Sequence, residues 1–326
     1  MSDLQRFAAI DIGSNTFRLM IAEANSPGTA TPWHIIHYTH DIIRLGEGLH
    51  HSGELSDAAM ARGLAAFETY AALLAQFNVN GDHVLAVATA AMREAGNGTL
   101  FRDKVAEQTG IQIEIIGGET EAVMSLSGSC AVLLPEMRSN MLLFDIGGAS
   151  TEFIRAAQSD ASRNHGEMIT RDAISTKMGV VRLVEAHLHT DPPSPSDYQA
   201  MLAAADAHLV TVDTYWGDCD APASLVGTAG TVTTLAATAL DLCPYDADVI
   251  NNYRMSRADF EALRDRLLIM NHEQRQSIRT IEPGRADLIV AGLAIVEAVM
   301  NHWHYDELVI VDAGLLEGAW LTISKQ

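Results

Sequence analysis

A strand–turn–strand unit that occurs twice restricts the fold of this chain more than any other feature of the sequence. In the second copy an apolar run, Leu142–Phe144, leads into Asp145, and glycines and small residues follow before Glu152. The first copy has the same order around Asp11, and Asp-Ile-Gly stands at the same place in both. The apolar runs predict buried strands, and the glycines predict tight turns that bulkier residues could not make. We therefore expect two halves of similar fold.

The turns of both copies predict phosphate binding. Backbone N–H groups of a tight turn form an anion-binding nest, and a carboxylate at a strand end holds the cation that neutralises phosphate oxygens. An ordinary glycine-rich hairpin with solvent-facing acids is the alternative for either copy alone. We predict that Mg²⁺ or Mn²⁺ is held by Asp145 and Glu152, with Asp11 as a third candidate. The predicted phosphate-binding residues of the two turns are Gly13, Ser14, Asn15, Thr16, Gly147, Gly148, Ala149, Ser150 and Thr151.

A third glycine-rich segment, Gly227–Thr231, follows a predicted strand at Ala223–Val226 and precedes a helix predicted from about Val232. A glycine loop between a strand and a helix directs N–H groups and the positive end of the helix dipole at an anion. The segment is not a P-loop, because no Gly-Lys-Ser/Thr follows it. Its predicted phosphate contacts are Gly227, Thr228, Gly230 and Thr231.

Arg93 stands just past the carboxyl end of a predicted strand, His83–Thr89, where a side chain of an α/β protein reaches a ligand. A surface ion pair is the alternative for this position. We predict that Arg93 binds phosphate and that Lys177 and Arg182 continue a basic track. Because no aromatic cluster adjoins the loops in sequence, a phosphate chain fits such a track better than a guanine nucleotide does.

Apolar periodicity predicts helices that flank the sheets. The segment Ser56–Phe77 has an amphipathic pattern, with Ser56 as its N-cap. Proline, serine and aspartate predict a loop over Asp191–Asp197, and composition predicts a helix over Tyr198–Tyr215 after it.

These motifs together resemble the exopolyphosphatase/guanosine pentaphosphate phosphatase (Ppx/GppA) family, which belongs to the superfamily of actin, hexokinase and the heat-shock ATPases. The resemblance implies an α/β fold of two ribonuclease-H-like (actin-like ATPase) domains, with the active site in the cleft between them. We expect the first domain at residues 1–125 and the second at 126–312, with the last helix, about 313–326, packed back on the first. The blocks span nearly the whole chain in the family order: Asp11–Leu19, Thr89–Ala95, Gly118–Ala122, Asp145–Glu152, Gly179–Leu183, Gly227–Thr231 and Gly314–Gly318.

The resemblance implies an enzyme, a phosphoanhydride hydrolase that releases orthophosphate from the end of inorganic polyphosphate (an exopolyphosphatase). Hydrolysis of guanosine pentaphosphate (pppGpp) is the alternative within the family. The second acid of the family's Gly-x-Glu-Glu-Ala block is the catalytic base, and Glu121 stands there. A kinase-like ATP-binding module and a non-catalytic phosphate-binding module are alternatives of another class. Thr120 and Leu316, which depart from the family pattern, favour the non-catalytic alternative together with Ala149.

The charge balance restricts the partners. With 42 acidic against 21 basic residues, the net charge of −21 has the wrong sign for holding nucleic acid or anionic lipid by bulk electrostatics. A small anion is still accommodated, because surface charges beyond about 8 Å are largely screened at physiological salt. The longest apolar run, Leu288–Met300, is too short to cross a bilayer. We expect no nucleic-acid or membrane partner, and a homodimer is compatible with the sequence.

The cysteines and the N-terminus predict a cytoplasmic location. Cys130, Cys219 and Cys243 are odd in number and lack C-x-x-C spacing, which indicates reduced thiols rather than a disulfide framework. The N-terminus leads directly into the first predicted strand and leaves no room for a signal peptide.

Overall fold

The chain folds into two compact units, each built on one mixed β-sheet. The computed structural model describes residues 5–26, 28–29, 31–158, 168–217 and 222–325. The first unit comprises residues 1–132 and 313–326, and the second comprises residues 133–312. Helices pack against both sheets, and the predicted α/β class is confirmed.

The sheet of the first unit has five strands within the described residues. They are β1 (Arg6–Ile12), β2 (Thr16–Ala24), β3 (Trp33–Ile42), β4 (Val84–Ala88) and β5 (Ile113–Ile115). Their spatial order is β3-β2-β1-β4-β5, with β1, β2 and β3 antiparallel and β4 and β5 parallel to β1. The helices are α1 (Leu49–Ser52), α2 (Asp57–Gln76), α3 (Ala90–Glu94), α4 (Gly98–Thr109) and α5 (Gly118–Val132).

The sheet of the second unit has the order β10-β11-β9-β6-β7-β8. Its strands are β6 (Met141–Ile146), β7 (Thr151–Gln158), β8 (Met168–Thr176), β9 (Ser224–Thr228), β10 (Tyr253–Ser256) and β11 (Glu307–Ile310). Its helices are α6 (Val180–His187), α7 (Pro195–Trp216), α8 (Ala229–Ala239), α9 (Ala247–Ile250), α10 (Arg257–Leu268), α11 (His272–Gln276) and α12 (Leu288–His302). The chain then returns to the first unit as α13 (Leu315–Ile323).

The two sheets share one topology. Strands β3-β2-β1-β4-β5 correspond to β8-β7-β6-β9-β11, and β10 is added at the edge of the second sheet. In both units an antiparallel hairpin is followed by strands parallel to its first strand. The first strands, β1 and β6, are central and almost entirely buried, which explains their continuous apolar sequences. The prediction of two halves of similar fold is therefore confirmed.

The last helix, α13, covers one face of the first sheet. Trp320 is fully buried there, and its indole Nε1 donates to the carbonyl oxygen of Phe7 at 3.1 Å. Leu316, at a position where the resembled family usually has arginine, is fully buried in the same apolar cluster. Leu316 therefore contributes to the core of the first unit.

Helices α5 and α13 contact each other backbone to backbone. A Cβ atom on Gly128 would collide with the carbonyl oxygen of Gly314, and one on Gly318 would collide with that of Met124. The predicted domain boundary near residue 125 falls inside α5, and this contact holds the C-terminal part of α5 in the first unit.

We expect Gly128→Ala to destabilise the protein by about 3 kcal/mol, because the added methyl group forces two packed helices apart. The apparent Tm in scanning calorimetry checks this prediction. Gly81→Ala is the matched control, since a Cβ atom there meets no other atom within 4 Å. A Tm for Gly128→Ala equal to that of the control would contradict the close packing of α5 and α13.

Helix α7 begins earlier than its sequence predicts. Pro195 occupies the first turn, and the hydroxyl of Ser194 accepts a hydrogen bond from the N–H of Asp197 at 3.1 Å. The predicted loop is therefore wrong over its last residues, because proline favours the first turn of a helix. The carboxylate of Asp197 accepts hydrogen bonds from the hydroxyl of Thr190 at 2.6 Å and its N–H at 3.0 Å. The Thr190 hydroxyl above all lowers the pKa of Asp197 to about 2 from its usual 3.8.

We expect Asp197 to stabilise the fold above about pH 4 and to lose this effect as the pH falls towards 2. The sign follows because a carboxyl with a lower pKa in the folded state binds fewer protons there than in the unfolded state. The urea midpoint of the wild type should therefore fall more between pH 5 and pH 2.5 than that of Asp197→Asn. Equal falls would contradict the prediction.

Within the described residues, the helices are not long and apolar enough for any of them to cross a membrane. Cys243 is an exposed free cysteine, and Cys219 lies outside the described residues.

Candidate active site

The hairpins β1–β2 and β6–β7 close with the same turn. The N–H of Gly13 donates to the carbonyl oxygen of Thr16 at 3.0 Å, and that of Gly147 donates to Ser150 at 2.9 Å. A Cβ atom on either glycine would lie 3.0 Å from the oxygen of its partner, so the turn favours glycine at this point. Residues 13–16, called the first loop, therefore correspond one to one with residues 147–150, called the second loop.

Each loop is fixed by the segment that follows the third antiparallel strand. In the first unit the carbonyl oxygen of Asn15 accepts from the N–H groups of Ile43 at 2.9 Å and Arg44 at 2.8 Å. In the second unit the carbonyl oxygen of Gly148 accepts from the N–H of Val181, in the first turn of α6, at 2.8 Å. The loop conformations are thus held through their carbonyl groups.

Two backbone N–H groups in each loop are available to bind a ligand. Within the described part of the chain, no group accepts a hydrogen bond from the backbone N–H of Ser14, Asn15, Gly148 or Ala149. Adjacent unpaired N–H groups in a turn form an anion-binding concavity. Each loop thus offers two such groups at the residues that the sequence predicts for phosphate binding.

Side chains support the second loop as well. The hydroxyl of Thr151, the first residue of β7, is buried and donates to the carbonyl oxygen of Met178. Arg182 donates from Nε to the carbonyl oxygen of Ala149 at 2.8 Å. Arg182, predicted as part of a basic track, is therefore in contact with the backbone of the loop itself.

The residue paired with the strand-end aspartate differs between the two hairpins. In the first unit Asp11 pairs across β1 and β2 with Arg18, whose Nε and Nη2 donate to Asp11 Oδ2 at 3.0 and 2.6 Å. Burial is the largest single influence on Arg18 and disfavours its charge, but the charges of Asp11 and of other neighbours, together with the hydrogen bond to Asp11, raise the pKa of Arg18. In the second unit Asp145 pairs across β6 and β7 with Glu152. Because cross-strand partners project from the same face of a sheet, this hairpin places two carboxylates where the other has an ion pair.

Asp145 and Glu152 supply carboxylate oxygens suited to Mg²⁺ or Mn²⁺, and a residue with a hydroxyl group lies next to each of them. Ser175 Oγ donates to Glu152 Oε1 at 2.6 Å, and Thr228 pairs with Asp145 across β6 and β9. Oxygen ligands are those that hard cations prefer. No group of three or more His, Cys, Asp or Glu side chains among the described residues could hold a metal ion. A cation held by these two carboxylates would complete its shell with water or phosphate oxygens, as Mg²⁺ usually does.

Glu121 is buried near the start of α5, and Arg93 contacts it. Arg93 Nη1 donates to Glu121 Oε2 at 3.1 Å and to the carbonyl oxygen of Ile116 at 2.7 Å. Glu121 is 5% exposed, whereas the neighbouring Glu119 and Thr120 are exposed. The other guanidinium nitrogens of Arg93 make no hydrogen bond to the described residues. The structure thus brings together the predicted base and the predicted phosphate-binding arginine.

The third glycine-rich segment contains a shorter loop between strand and helix than its sequence predicts. Strand β9 includes Gly227 and ends at Thr228, and α8 begins at Ala229. The predicted helix is present, but it begins three residues before the predicted start at about Val232. Ala229 has a φ of 72°, a left-handed conformation that turns the chain sharply from strand to helix.

Arg285, which the sequence did not single out, lies against this segment. A Cβ atom on Gly230 would collide with the Arg285 guanidinium. Arg285 Nε donates to Glu282 Oε2 at 2.8 Å. Thr231 is buried and packs its methyl group against Gly292 of α12. The segment thus combines a helix N-terminus with a neighbouring cation, both of which favour an anion.

Comparisons with known proteins agree with these observations. Residues 21–326 match the Ppx/GppA phosphatase family. Exopolyphosphatase 2 of Mycobacterium tuberculosis is 31% identical over 334 aligned positions, which cover 98% of this chain and 99% of that protein. Guanosine-5'-triphosphate,3'-diphosphate pyrophosphatase of Aliivibrio fischeri is 28% identical over 96% of this chain and 58% of that protein.

Solved structures of similar proteins extend the likeness to the fold. An exopolyphosphatase from Cytophaga hutchinsonii superimposes with a TM-score of 0.84 at 26% identity, over 98% of both chains. A Ppx/GppA family member from Aquifex aeolicus has a TM-score of 0.78 at 28% identity, over 99% of this chain and 97% of that one. The likeness therefore covers nearly the whole chain.

Proposed function

The chain belongs to the Ppx/GppA phosphatase family, and we propose that it hydrolyses the terminal phosphoanhydride of inorganic polyphosphate and releases orthophosphate. The observation that carries the proposal is the carboxylate pair Asp145 and Glu152 beside a loop in which no described residue accepts a hydrogen bond from the N–H groups of Gly148 and Ala149. A phosphate chain requires both a cation and anion-binding donors. Relatives named exopolyphosphatase that align with this chain over nearly their full length support the same substrate.

Phosphoryl oxygens are bound in this proposal by N–H groups of the two loops and by arginines. Ser14 and Asn15 supply two N–H groups and Gly148 and Ala149 supply two more. Arg93 adds the guanidinium nitrogens that make no hydrogen bond to the described residues. Phosphoryl transfer needs mainly positioning and charge neutralisation from a protein, and these groups provide both.

Mg²⁺ or Mn²⁺ would be held by Asp145 and Glu152. The cation supplies charge neutralisation at the phosphate oxygens when bound. Asp11, the third predicted ligand, has a different role in the proposal, because it is bonded to Arg18. Asp11 orients Arg18, whose Nη1 makes no hydrogen bond to the described residues and is free to bind phosphate.

Glu121 acts as the general base that accepts a proton from the attacking water. A positioned carboxylate in this role contributes typically about 10²–10⁴-fold in rate. Arg93 orients the carboxylate of Glu121 through the 3.1 Å hydrogen bond and balances its charge. Thr120, which replaces an acid of the family block, is exposed and leaves this pair intact.

Hydrolysis of pppGpp is the second candidate. Relatives named as pyrophosphatases of that nucleotide, from Aliivibrio fischeri and Vibrio vulnificus, align over 96% of this chain. The chain spans 58% of each of those relatives.

Orthophosphate release from long polyphosphate, tripolyphosphate and pppGpp, each with Mg²⁺ or Mn²⁺, tests the proposal. We expect a higher kcat/KM for polyphosphate than for pppGpp, and short chains hydrolysed at least as well as long ones. A higher kcat/KM for pppGpp would assign the second candidate, and no release from any of the three would overturn both.

We also propose a cytoplasmic location, which the exposed free cysteine Cys243 supports. Cell fractionation checks it. The absence of nucleic-acid and membrane partners stays a prediction. A homodimer is compatible with the sequence, and light scattering of the purified protein measures its oligomeric state.

A further inference from the structure

Arg275, in α11, is a buried arginine that the proposed reaction does not use. Its side chain is 1% exposed. Nε donates to the carbonyl oxygen of Ala286 at 2.8 Å, Nη1 donates to the carbonyl oxygen of Met270, and Nη2 donates to Asp191 Oδ1 at 3.3 Å. The N–H of His272 fixes that carboxylate, because it donates to both of its oxygens at 2.7 and 2.9 Å. The guanidinium thereby connects the segment after α10, the loop before α7 and the segment before α12.

Packing does not explain an arginine at this position. Burial has the largest influence on Arg275 and lowers its pKa, although Asp191 and Asp287 favour its charge. A buried ion pair is often no more stabilising than apolar residues of similar volume. The guanidinium also adjoins a cavity of about 260 Å³. The hydrogen bonds that Arg275 makes are therefore the better explanation for its presence.

The bond to Ala286 fixes the segment from which α12 begins. Ala286 is fully buried, and its carbonyl oxygen lies ahead of Asp287, the N-cap of α12. A buried backbone carbonyl needs a hydrogen-bond donor, and Arg275 Nε provides one. Loss of Arg275 would remove this donor and release the backbone at Ala286.

Arg285, the residue before Ala286, lies against the third glycine-rich segment. A Cβ atom on Gly230 would lie 1.8 Å from Arg285 Nη1, so the guanidinium directly contacts the first turn of α8. The helix N-terminus and the guanidinium both favour an anion. Arg285 is the last residue of the turn Pro283–Arg285 and is joined to Ala286. A shift of the backbone at Ala286 would therefore move the Arg285 guanidinium away from α8.

We propose that Arg275 is a positioning residue, which holds the backbone at Ala286 so that the Arg285 guanidinium stays at the N-terminus of α8 and contacts the bound phosphate chain. The inference rests on the proposed function, because it takes the anion at this segment to be part of a phosphate chain. Arg275 is itself buried and acts through Arg285, without touching the substrate.

The test is a double-mutant cycle of Arg275→Met and Arg285→Met, with tripolyphosphate and Mg²⁺. We expect Arg285→Met to raise KM about tenfold or more, since a hydrogen bond to a charged group is lost. We expect Arg275→Met to raise KM about threefold or more, with kcat nearly unchanged. The KM of the double variant should lie within about twofold of that of Arg285→Met, because Arg275 acts through Arg285.

Arg257→Met is the matched control. Arg257 Nη2 donates to the carbonyl oxygens of Met300, at 2.9 Å, and Tyr305, so this arginine binds backbone carbonyls at the other end of α12. Arg257→Met and Arg275→Met should both lower the apparent Tm, and Arg275→Met alone of the two should raise KM. A purely structural role of Arg275 would lower the Tm without this difference in KM.

Arg275→Lys gives the same cycle if Arg275→Met does not fold. Three different nitrogens of the guanidinium make its three bonds, and a single ammonium group cannot replace them. We therefore expect Arg275→Lys to raise KM in the wild-type background and to leave KM unchanged in the Arg285→Met background.

A wild-type KM in Arg275→Met would overturn the inference. An equal fold-increase of KM in the wild-type and Arg285→Met backgrounds, or an increase of the same size in Arg257→Met, would overturn it as well. If the wild type is neither stabilised by tripolyphosphate nor able to hydrolyse it, the proposed function fails. If the wild type hydrolyses tripolyphosphate and Arg285→Met keeps the wild-type KM, this inference alone fails.

Discussion

Glu121→Gln is expected to lower kcat by about two orders of magnitude or more. Water is a poor nucleophile at neutral pH, and the amide keeps the shape of the carboxylate while losing the ability to take its proton. Arg93 Nη1 can still donate to the amide oxygen, so we expect KM and the apparent Tm to change little. Initial rates of orthophosphate release, measured over a range of substrate concentrations, separate kcat from KM.

Glu119→Gln is the control for this variant. Glu119 lies in the same first turn of α5 but is exposed, whereas Glu121 is buried. An acid that merely stabilises the helix dipole contributes about 0.3–1 kcal/mol to stability, and Glu119→Gln should therefore keep the wild-type kcat. A wild-type kcat in Glu121→Gln, or a larger loss in Glu119→Gln, would contradict the assignment of the base.

Asp145→Asn and Glu152→Gln are each expected to weaken Mn²⁺ binding by at least about 100-fold. Changes outside the ligand shell already cost about 10–100-fold in metal affinity, and these variants remove one of two anionic ligands. Electron paramagnetic resonance of free Mn²⁺ measures the affinity without substrate. Orthophosphate release in a Mg²⁺ titration should fall in parallel, and exhaustive treatment with EDTA should abolish the activity of the wild type.

Asp11→Asn tests whether the hairpin β1–β2 contributes a ligand to the metal site. Asp11 occupies the position that corresponds to Asp145, but it is bonded to Arg18. We therefore expect the Mn²⁺ affinity of Asp11→Asn to equal that of the wild type. Weaker Mn²⁺ binding in this variant, of the size expected for Asp145→Asn, would show that Asp11 is a ligand after all.

The hairpins were predictable from sequence because their structure is local. An apolar run, a glycine and a few small residues determine a strand, a turn and the return strand within about a dozen residues. The pairing of Asp11 with Arg18 and of Asp145 with Glu152 also follows from the turn, since the register of a hairpin is fixed by its turn. The two residues of each pair have the same spacing in the sequence. An alignment of the two hairpins therefore places Arg18 opposite Asp11 where Glu152 lies opposite Asp145, and this predicts the ion pair of the first hairpin.

Contacts between distant segments were not predictable in this way. Arg285 lies against Gly230, and Gly128 lies against Gly314, although nothing local in the sequence connects the members of either pair. Such contacts depend on how helices pack on the sheet, and a single sequence does not encode that packing as a short-range pattern. The early start of α7 and α8 has a different origin. Capping by Ser194 and a left-handed Ala229 set these boundaries, and element ends are the least reliable part of a sequence-based prediction.

In the proposed reaction, water attacks the terminal phosphorus of a polyphosphate chain. Hydrolysis in H₂¹⁸O, followed by mass spectrometry of the released orthophosphate and gel analysis of the remaining chains, shows which phosphorus is attacked. We predict a single ¹⁸O in each released orthophosphate and chains that shorten one phosphate at a time. Label found in the remaining chain, cleavage within the chain, or phosphate transfer to a nucleotide in place of release would show that the protein does not hydrolyse the terminal phosphoanhydride.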